Sequence, residues 1–219
     1  MSSDILDLKL LFDSLYNYFG EQHWWPADSK LEMIVGAILT QNTSWKNVEI
    51  VIKNLKNKNL LNLNDLFTIN TEELAELIRS SGFYKQKALR VKNFVEIIRK
   101  DFNGDLELFL SQKDVYERLI SINGIGRETA DSIILYAANR PVFVIDIYSL
   151  RILKRLGYAI KEDKKEYSKA QNLFDKDLNK DVSLFKEYHA LLVLLGKQYC
   201  KKIPLCKNCP VTKRCKKVI

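Results

Sequence analysis

Apolar residues recur along this chain at spacings of three and four, the period of an amphipathic helix rather than of a strand. Ile5 to Phe19 reads as a first helix. Ser29, with Glu32 three residues on, forms a capping-box pattern that opens a second. Its members Leu31, Met33, Ile34, Val35, Ala37, Ile38 and Leu39 are apolar almost all round, so it belongs at the centre of a core. The pattern predicts further helices over residues 44–56, 85–100, 113–122, 127–138, 147–156, 163–177 and 182–199, and a short one from Asn70 with Glu73. Val142 to Ile145 is the one strand-like run, and it reads equally as extended chain. No solenoid repeat or low-complexity linker interrupts the series, and the expected fold class is all-α.

Composition narrows the picture. An apolar fraction of 47% with 28% charged residues excludes a disordered chain. Eight glycines and four prolines are too few turn residues for an all-β sandwich or barrel. No apolar run approaches a membrane span. The acidic start MSSDILDLKL lacks the basic region of a signal peptide, so a cytoplasmic protein is expected.

The net charge of +8 is unevenly placed. Residues 197–219 carry Lys197, Lys201, Lys202, Lys207, Lys213, Arg214, Lys216 and Lys217 and no acid, so the rest of the chain is neutral. All four cysteines, Cys200, Cys206, Cys209 and Cys215, share that tail with a Cys-x5-Cys-x2-Cys-x5-Cys spacing. Four clustered thiols in the cytoplasm point to metal ligation rather than disulfides. The spacing alone suits a tetrahedral zinc or a [4Fe–4S] cluster equally.

Between the helices at 113–122 and 127–138 lies Asn123-Gly124-Ile125-Gly126. Two glycines two apart fit a tight turn between helices, and they also fit a turn that bares amides to a phosphate at a helix N-terminus. Asp146 sits just before a predicted helix, where a carboxylate is an N-cap. All three tryptophans, Trp24, Trp25 and Trp45, fall in the first 45 residues, and each alone reads equally as core.

The segment from Leu119 through Gly124-Ile125-Gly126-Arg127-Glu128-Thr129-Ala130, followed by Val142-Phe143-Val144-Ile145-Asp146 and the four-cysteine tail, resembles the helix–hairpin–helix endonuclease III superfamily of DNA glycosylases. The resemblance covers roughly residues 26–219. Trp24-Trp25-Pro26, Leu39-Thr40-Gln41-Asn42-Thr43, Ser81-Gly82-Phe83-Tyr84, Trp45 and Glu128 look closer to its 3-methyladenine DNA glycosylase III branch. It implies two helical lobes with a cleft between them. One is a six-helix lobe at 27–138 holding the hairpin at 113–138; the other joins 1–26 to 139–219 and carries a [4Fe–4S] loop on the four cysteines at 200–215, in which the first gap is five residues where the family usually has six.

The resemblance also implies roles. Asp146 becomes the catalytic carboxylate that stabilises an oxocarbenium-like sugar and activates water. Glu128 stands where bifunctional relatives have a lysine, so no Schiff base forms and little lyase activity is expected. Glu128, Trp24, Trp25, Pro26 and Trp45 are the expected base pocket. Gln41 is placed to fill the gap left by the flipped nucleotide. Asn123, Gly124, Gly126, Arg127, Thr129, Lys201, Lys202 and Lys207 are the expected DNA contacts. Tyr148 replaces the family's histidine.

The expected function is a monofunctional DNA N-glycosylase removing an alkylated purine such as 3-methyladenine. It is expected to act as a monomer on damaged double-stranded DNA, handing its product to an AP endonuclease. The alternatives are an endonuclease III-like glycosylase and lyase on oxidised or mismatched pyrimidines, and a non-enzymatic helix–hairpin–helix DNA-binding protein. A pure binder has no need of Asp146.

Overall fold

A computed structural model of the chain describes residues 5–218. Its helices are α1 (Leu8–Phe19), α2 (Lys30–Leu39), α3 (Trp45–Asn57), α4 (Leu63–Thr68), α5 (Thr71–Leu77), α6 (Tyr84–Phe102), α7 (Leu106–Ser111), α8 (Val115–Ser121), α9 (Arg127–Tyr136), α10 (Ile147–Leu156), α11 (Tyr167–Asp177) and α12 (Val182–Gln198). Short 3-10 turns stand at Arg79–Ser81, Lys164–Glu166 and Cys206–Asn208. There is no strand among the described residues, and the fold is all-α. The chain divides into two units, Trp25–Arg140 and Met1–Trp24 with Pro141–Ile219.

In the unit Trp25–Arg140, α2 is the buried axis, packed by α3, α6 and α9. Every residue from Leu31 to Leu39 is buried, as its all-round apolar pattern requires. Ser29 Oγ accepts from the Glu32 amide at 3.1 Å. The returning half of the capping box reaches one residue further than expected: Glu32 Oε2 accepts from the Asp28 amide at 3.1 Å. Lys56 neutralises the same buried carboxylate at 2.7 Å.

The helix α6 carries α4, α5 and α7 along its length. The six-residue helices α4 and α7 are too short to show a period in sequence, and each begins at a side-chain cap, Asn62 and Asp105.

In the other unit, α12 packs on α1 and α10, and α11 touches both α1 and α10. Its centre is aromatic. The Phe143 ring stacks on Phe174 at 3.7 Å and meets Phe185 and Tyr188 edge-on at 5.2 and 5.6 Å. This explains the strand-like run. Residues 142–145 are extended with no partner strand, because side chains satisfy the backbone instead. Gln171 Nε2 donates to the Phe143 carbonyl at 2.8 Å, and the Ile145 amide donates to the Tyr167 hydroxyl at 3.3 Å. The anchored segment delivers Asp146 to the start of α10.

Candidate active site and DNA interface

Within the unit Trp25–Arg140 three rings come together. Trp25 meets Trp45 edge-on at 5.1 Å and Tyr136 at 5.5 Å. Gly36 on α2 gives them room: a Cβ there would touch Trp25 Nε1 at 3.5 Å and Trp45 Cη2 at 3.6 Å. Trp45 Nε1 donates to Glu49 at 2.8 Å, which fixes the indole along the start of α3. Trp25 and Trp45 remain half-buried. Pro26 is exposed; Trp24 is half-buried and belongs to the other unit.

The hairpin between α8 and α9 is built as the glycines suggest. Gly124 has φ +91°, a backbone that a side chain disfavours. Its Cα also faces the Arg90 stem so closely that a Cβ would lie 2.4 Å from Arg90 Nε. Gly126 is the N-cap of α9, so no side chain covers that helix start. Asn123, Gly126, Arg127 and Glu128 are exposed, whereas Thr129 is buried. Thr129 instead holds Gln41. Gln41 Nε2 donates to Thr129 Oγ1 and to the Gly124 carbonyl, each at 3.1 Å, while Arg90 donates to Gln41 Oε1.

In the other unit, Asp146 caps α10. Its Oδ1 accepts from the Ser149 amide at 2.7 Å and the Ser149 hydroxyl at 2.8 Å. Its Oδ2 lies 3.9 Å from His189 Nε2 on α12. Burial pushes the His189 imidazole below its usual range, against the pull of Asp146. Tyr148 lies flat on α12, where a Cβ on Gly196 would fall 2.4 Å from its ring, and Arg151 covers it at 5.2 Å. A large planar residue at 148 therefore requires the glycine at 196.

The tail is held by α10. Arg151 Nε donates to the Cys200 carbonyl at 2.7 Å, and Arg155 donates to the carbonyls of Lys201 and Lys202 at 2.6 and 3.0 Å. Lys201, Lys202 and Lys207 are exposed. The four cysteines are free thiols lining one largely apolar cavity of about 120 Å³. Burial pushes the Cys209 and Cys215 thiols up, toward the protonated form. No group of three or more His, Cys, Asp or Glu among the described residues is arranged to hold a metal ion. That finding overturns the expected [4Fe–4S] cluster on Cys200, Cys206, Cys209 and Cys215, and the zinc alternative with it. Arginine-to-carbonyl bonds fix the start of the tail, and at its end the Cys215 thiol and the Val218 amide donate to the Arg155 carbonyl at 3.3 and 3.2 Å.

Residues 35–178 match the family described as HhH-GPD superfamily base excision DNA repair protein. The chain belongs to that family. A Methanocaldococcus jannaschii protein provisionally named a DNA repair glycosylase is 45% identical over 208 residues, 94% of each chain. Endonuclease III of Thermotoga maritima is 27% identical over 185 residues, 84% of this chain and 81% of its own. The H. pylori 3-methyladenine DNA glycosylase, solved with 1,N6-ethenoadenine, is 34% identical with a TM-score of 0.79, covering 88% of this chain and 98% of that one. This HhH-GPD protein is accordingly an enzyme, a DNA N-glycosylase of base excision repair.

Three residues of this glycosylase, Lys87, Arg90 and His189, were not singled out from its sequence, and Phe83 was named only as part of a motif. Lys87 and Arg90 read as the polar face of α6, and nothing in the period marks one lysine as fully buried. Lys87 Nζ donates to the Leu39 carbonyl at 2.8 Å and the Ser81 carbonyl at 2.6 Å, and burial with the nearby Arg90 charge lowers its ammonium to about 8. Phe83 is 62% exposed at φ +47°, an aromatic held in a strained backbone beside that tie. His189 sits among apolar residues of α12 and reads as core. Only the three-dimensional arrangement sets it against Asp146.

Proposed function

We propose that this glycosylase is monofunctional and hydrolyses the N-glycosidic bond of an alkylated purine, 3-methyladenine being the type substrate. The observation that carries this is Glu128 at the exposed start of α9. A carboxylate offers no amine, so the sugar is not attacked by the enzyme and strand cleavage does not follow. Water then adds at the anomeric carbon, with Asp146 accepting its proton and balancing the cationic sugar, and the base departs on its nitrogen. A cationic alkylated base gains from stacking on the electron-rich rings of Trp25 and Trp45, which Tyr136 backs from the core. The hairpin amides at Gly124 and Gly126, the flanking Asn123 and Arg127, and the lysines Lys201, Lys202 and Lys207 meet phosphates, while Gln41 enters the duplex. The enzyme works as a cytoplasmic monomer and passes its abasic product to an AP endonuclease.

A second reading is favoured by the comparisons themselves, which back an endonuclease III-like glycosylase and lyase on oxidised or mismatched pyrimidines at least as strongly. One panel separates the two. Duplexes carrying 3-methyladenine, 1,N6-ethenoadenine, thymine glycol, uracil or thymine opposite guanine are incubated with the enzyme, with and without borohydride. Loss of alkylated purine with no borohydride-trapped adduct supports the first reading. Release of oxidised pyrimidine with a trapped adduct and spontaneous nicking replaces it with the second.

A further inference from the structure

Gln41 has every polar group engaged inside the protein. Both protons of its amide nitrogen go to the hairpin, to the Gly124 carbonyl and to Thr129 Oγ1 at 3.1 Å each. Its oxygen accepts from the Arg90 guanidinium. Arg90 is shared: the same side chain that holds Gln41 lies against the bare Cα of Gly124, where any Cβ would overlap it. One turn earlier on the same face of α6, Lys87 binds the carbonyl of Leu39, two residues before Gln41, and the carbonyl of Ser81, two residues before the exposed Phe83. The first turns of α6 therefore fix three segments at once: the loop after α2, the turn before α6, and the hairpin.

From this we infer that Arg90 is a positioning residue for Gln41, tying the gap-filling side chain to the hairpin so that a phosphate grip and insertion into the duplex occur in one register. The guanidinium adds a charge-assisted bond on the amide oxygen to the two neutral bonds that the amide nitrogen donates. Gly124 is then required twice, once for its positive φ and once to admit the Arg90 stem. The inference rests on the reading that Gln41 enters the duplex, and it is independent of which base is removed.

The test uses the full chain and two 5′-labelled duplexes, one intact and one with a tetrahydrofuran abasic analogue, whose missing base leaves the gap for Gln41. Wild type binds the gapped duplex more tightly than the intact one. Arg90→Met keeps an apolar stem against Gly124 but cannot donate. It is expected to lose about tenfold of that preference, in line with the loss of a charge-assisted bond, while affinity for intact duplex stays within about twofold. Gln41→Ala shows the same loss, and the double variant loses no more than either single one. Arg90→Lys, which can still donate, recovers part of the preference. Equal weakening on both duplexes, or losses that add in the double variant, would overturn the inference; so would a wild type with no preference. A protein that shows the preference but releases no base from the panel sinks the proposed substrate and leaves Arg90 in place.

Discussion

His189 Nε2 stands 3.9 Å from Oδ2 of Asp146, both side chains almost wholly buried, while the other carboxylate oxygen is committed to Ser149. Asp146 is thus a helix cap with one carboxylate oxygen outside the cap, and the proposed function gives that residue the reactive role. Two hydrogen bonds aim one oxygen, and the second oxygen faces an imidazole that burial keeps neutral.

Asp146→Asn tests the reactive role apart from the cap. Asparagine caps a helix about as well as aspartate, so stability is expected to move by less than about 1 kcal/mol. Removal of the negative charge is expected to lower single-turnover base release by on the order of 100-fold or more. Unchanged release with an unchanged melting temperature would reassign Asp146 to capping alone.

The buried imidazole gives stability a pH dependence of defined sign. Folded His189 has its pKa lowered, so as pH falls below about 6.5 the unfolded chain takes up the proton first. Native stability should therefore decline from pH 7 downward until the folded pKa is passed. His189→Gln should flatten that decline in urea titrations at pH 7.5, 6.5 and 5.5. His23, the other histidine, is exposed beside Glu21 and serves as the control through His23→Gln.

Lys87 holds two buried carbonyls, so Lys87→Met leaves both without their donor. The expected cost is about 2–4 kcal/mol in denaturant unfolding. Because burial holds the folded ammonium at about 8, below the value for an unfolded lysine, wild-type stability should rise between pH 8 and about 10.5, where the unfolded chain binds the extra proton. That rise should be absent from Lys87→Met.

Gly124→Ala places a Cβ on Arg90 Nε and puts alanine at φ +91°. The backbone alone should cost about 1–2 kcal/mol. A thermal melt measures this, and a melting temperature equal to wild type would mean that the hairpin relaxes without loss.

Exchanging Lys201, Lys202 and Lys207 for alanine tests the tail. Each phosphate deprived of its lysine should reduce the slope of log affinity against log salt by about 0.9. Anisotropy titrations at several salt concentrations read this directly, and the lesion preferred in the panel should not change.

What the sequence disclosed depended on how local each signal is. The long helices, the cap at Ser29 and the glycine hairpin are written in residues a few positions apart, and they appear where the pattern puts them. The six-residue helices α4 and α7 complete fewer than two turns, too few for a repeat to show. The run at 142–145 has strand composition, but Gln171 and Tyr167 supply its hydrogen bonds, and only the fold brings them near. Lys87 reaches Leu39, Arg90 reaches Gln41 and His189 faces Asp146, each partner dozens of residues away, which no spacing reveals. The four-cysteine spacing suggested a cluster, and the described side chains are not arranged to hold a metal ion.

The helix α10 carries Asp146 at one end and, at Arg151 and Arg155 on one face, the anchors of the basic tail. Inserting one residue between these points would turn the two guanidiniums by about 100° away from their carbonyls. The ten residues of α10 are therefore bound by a length constraint, and the cysteine-bearing loop is closed on the same helix at both ends, since the Cys215 thiol and the Val218 amide donate to the Arg155 carbonyl.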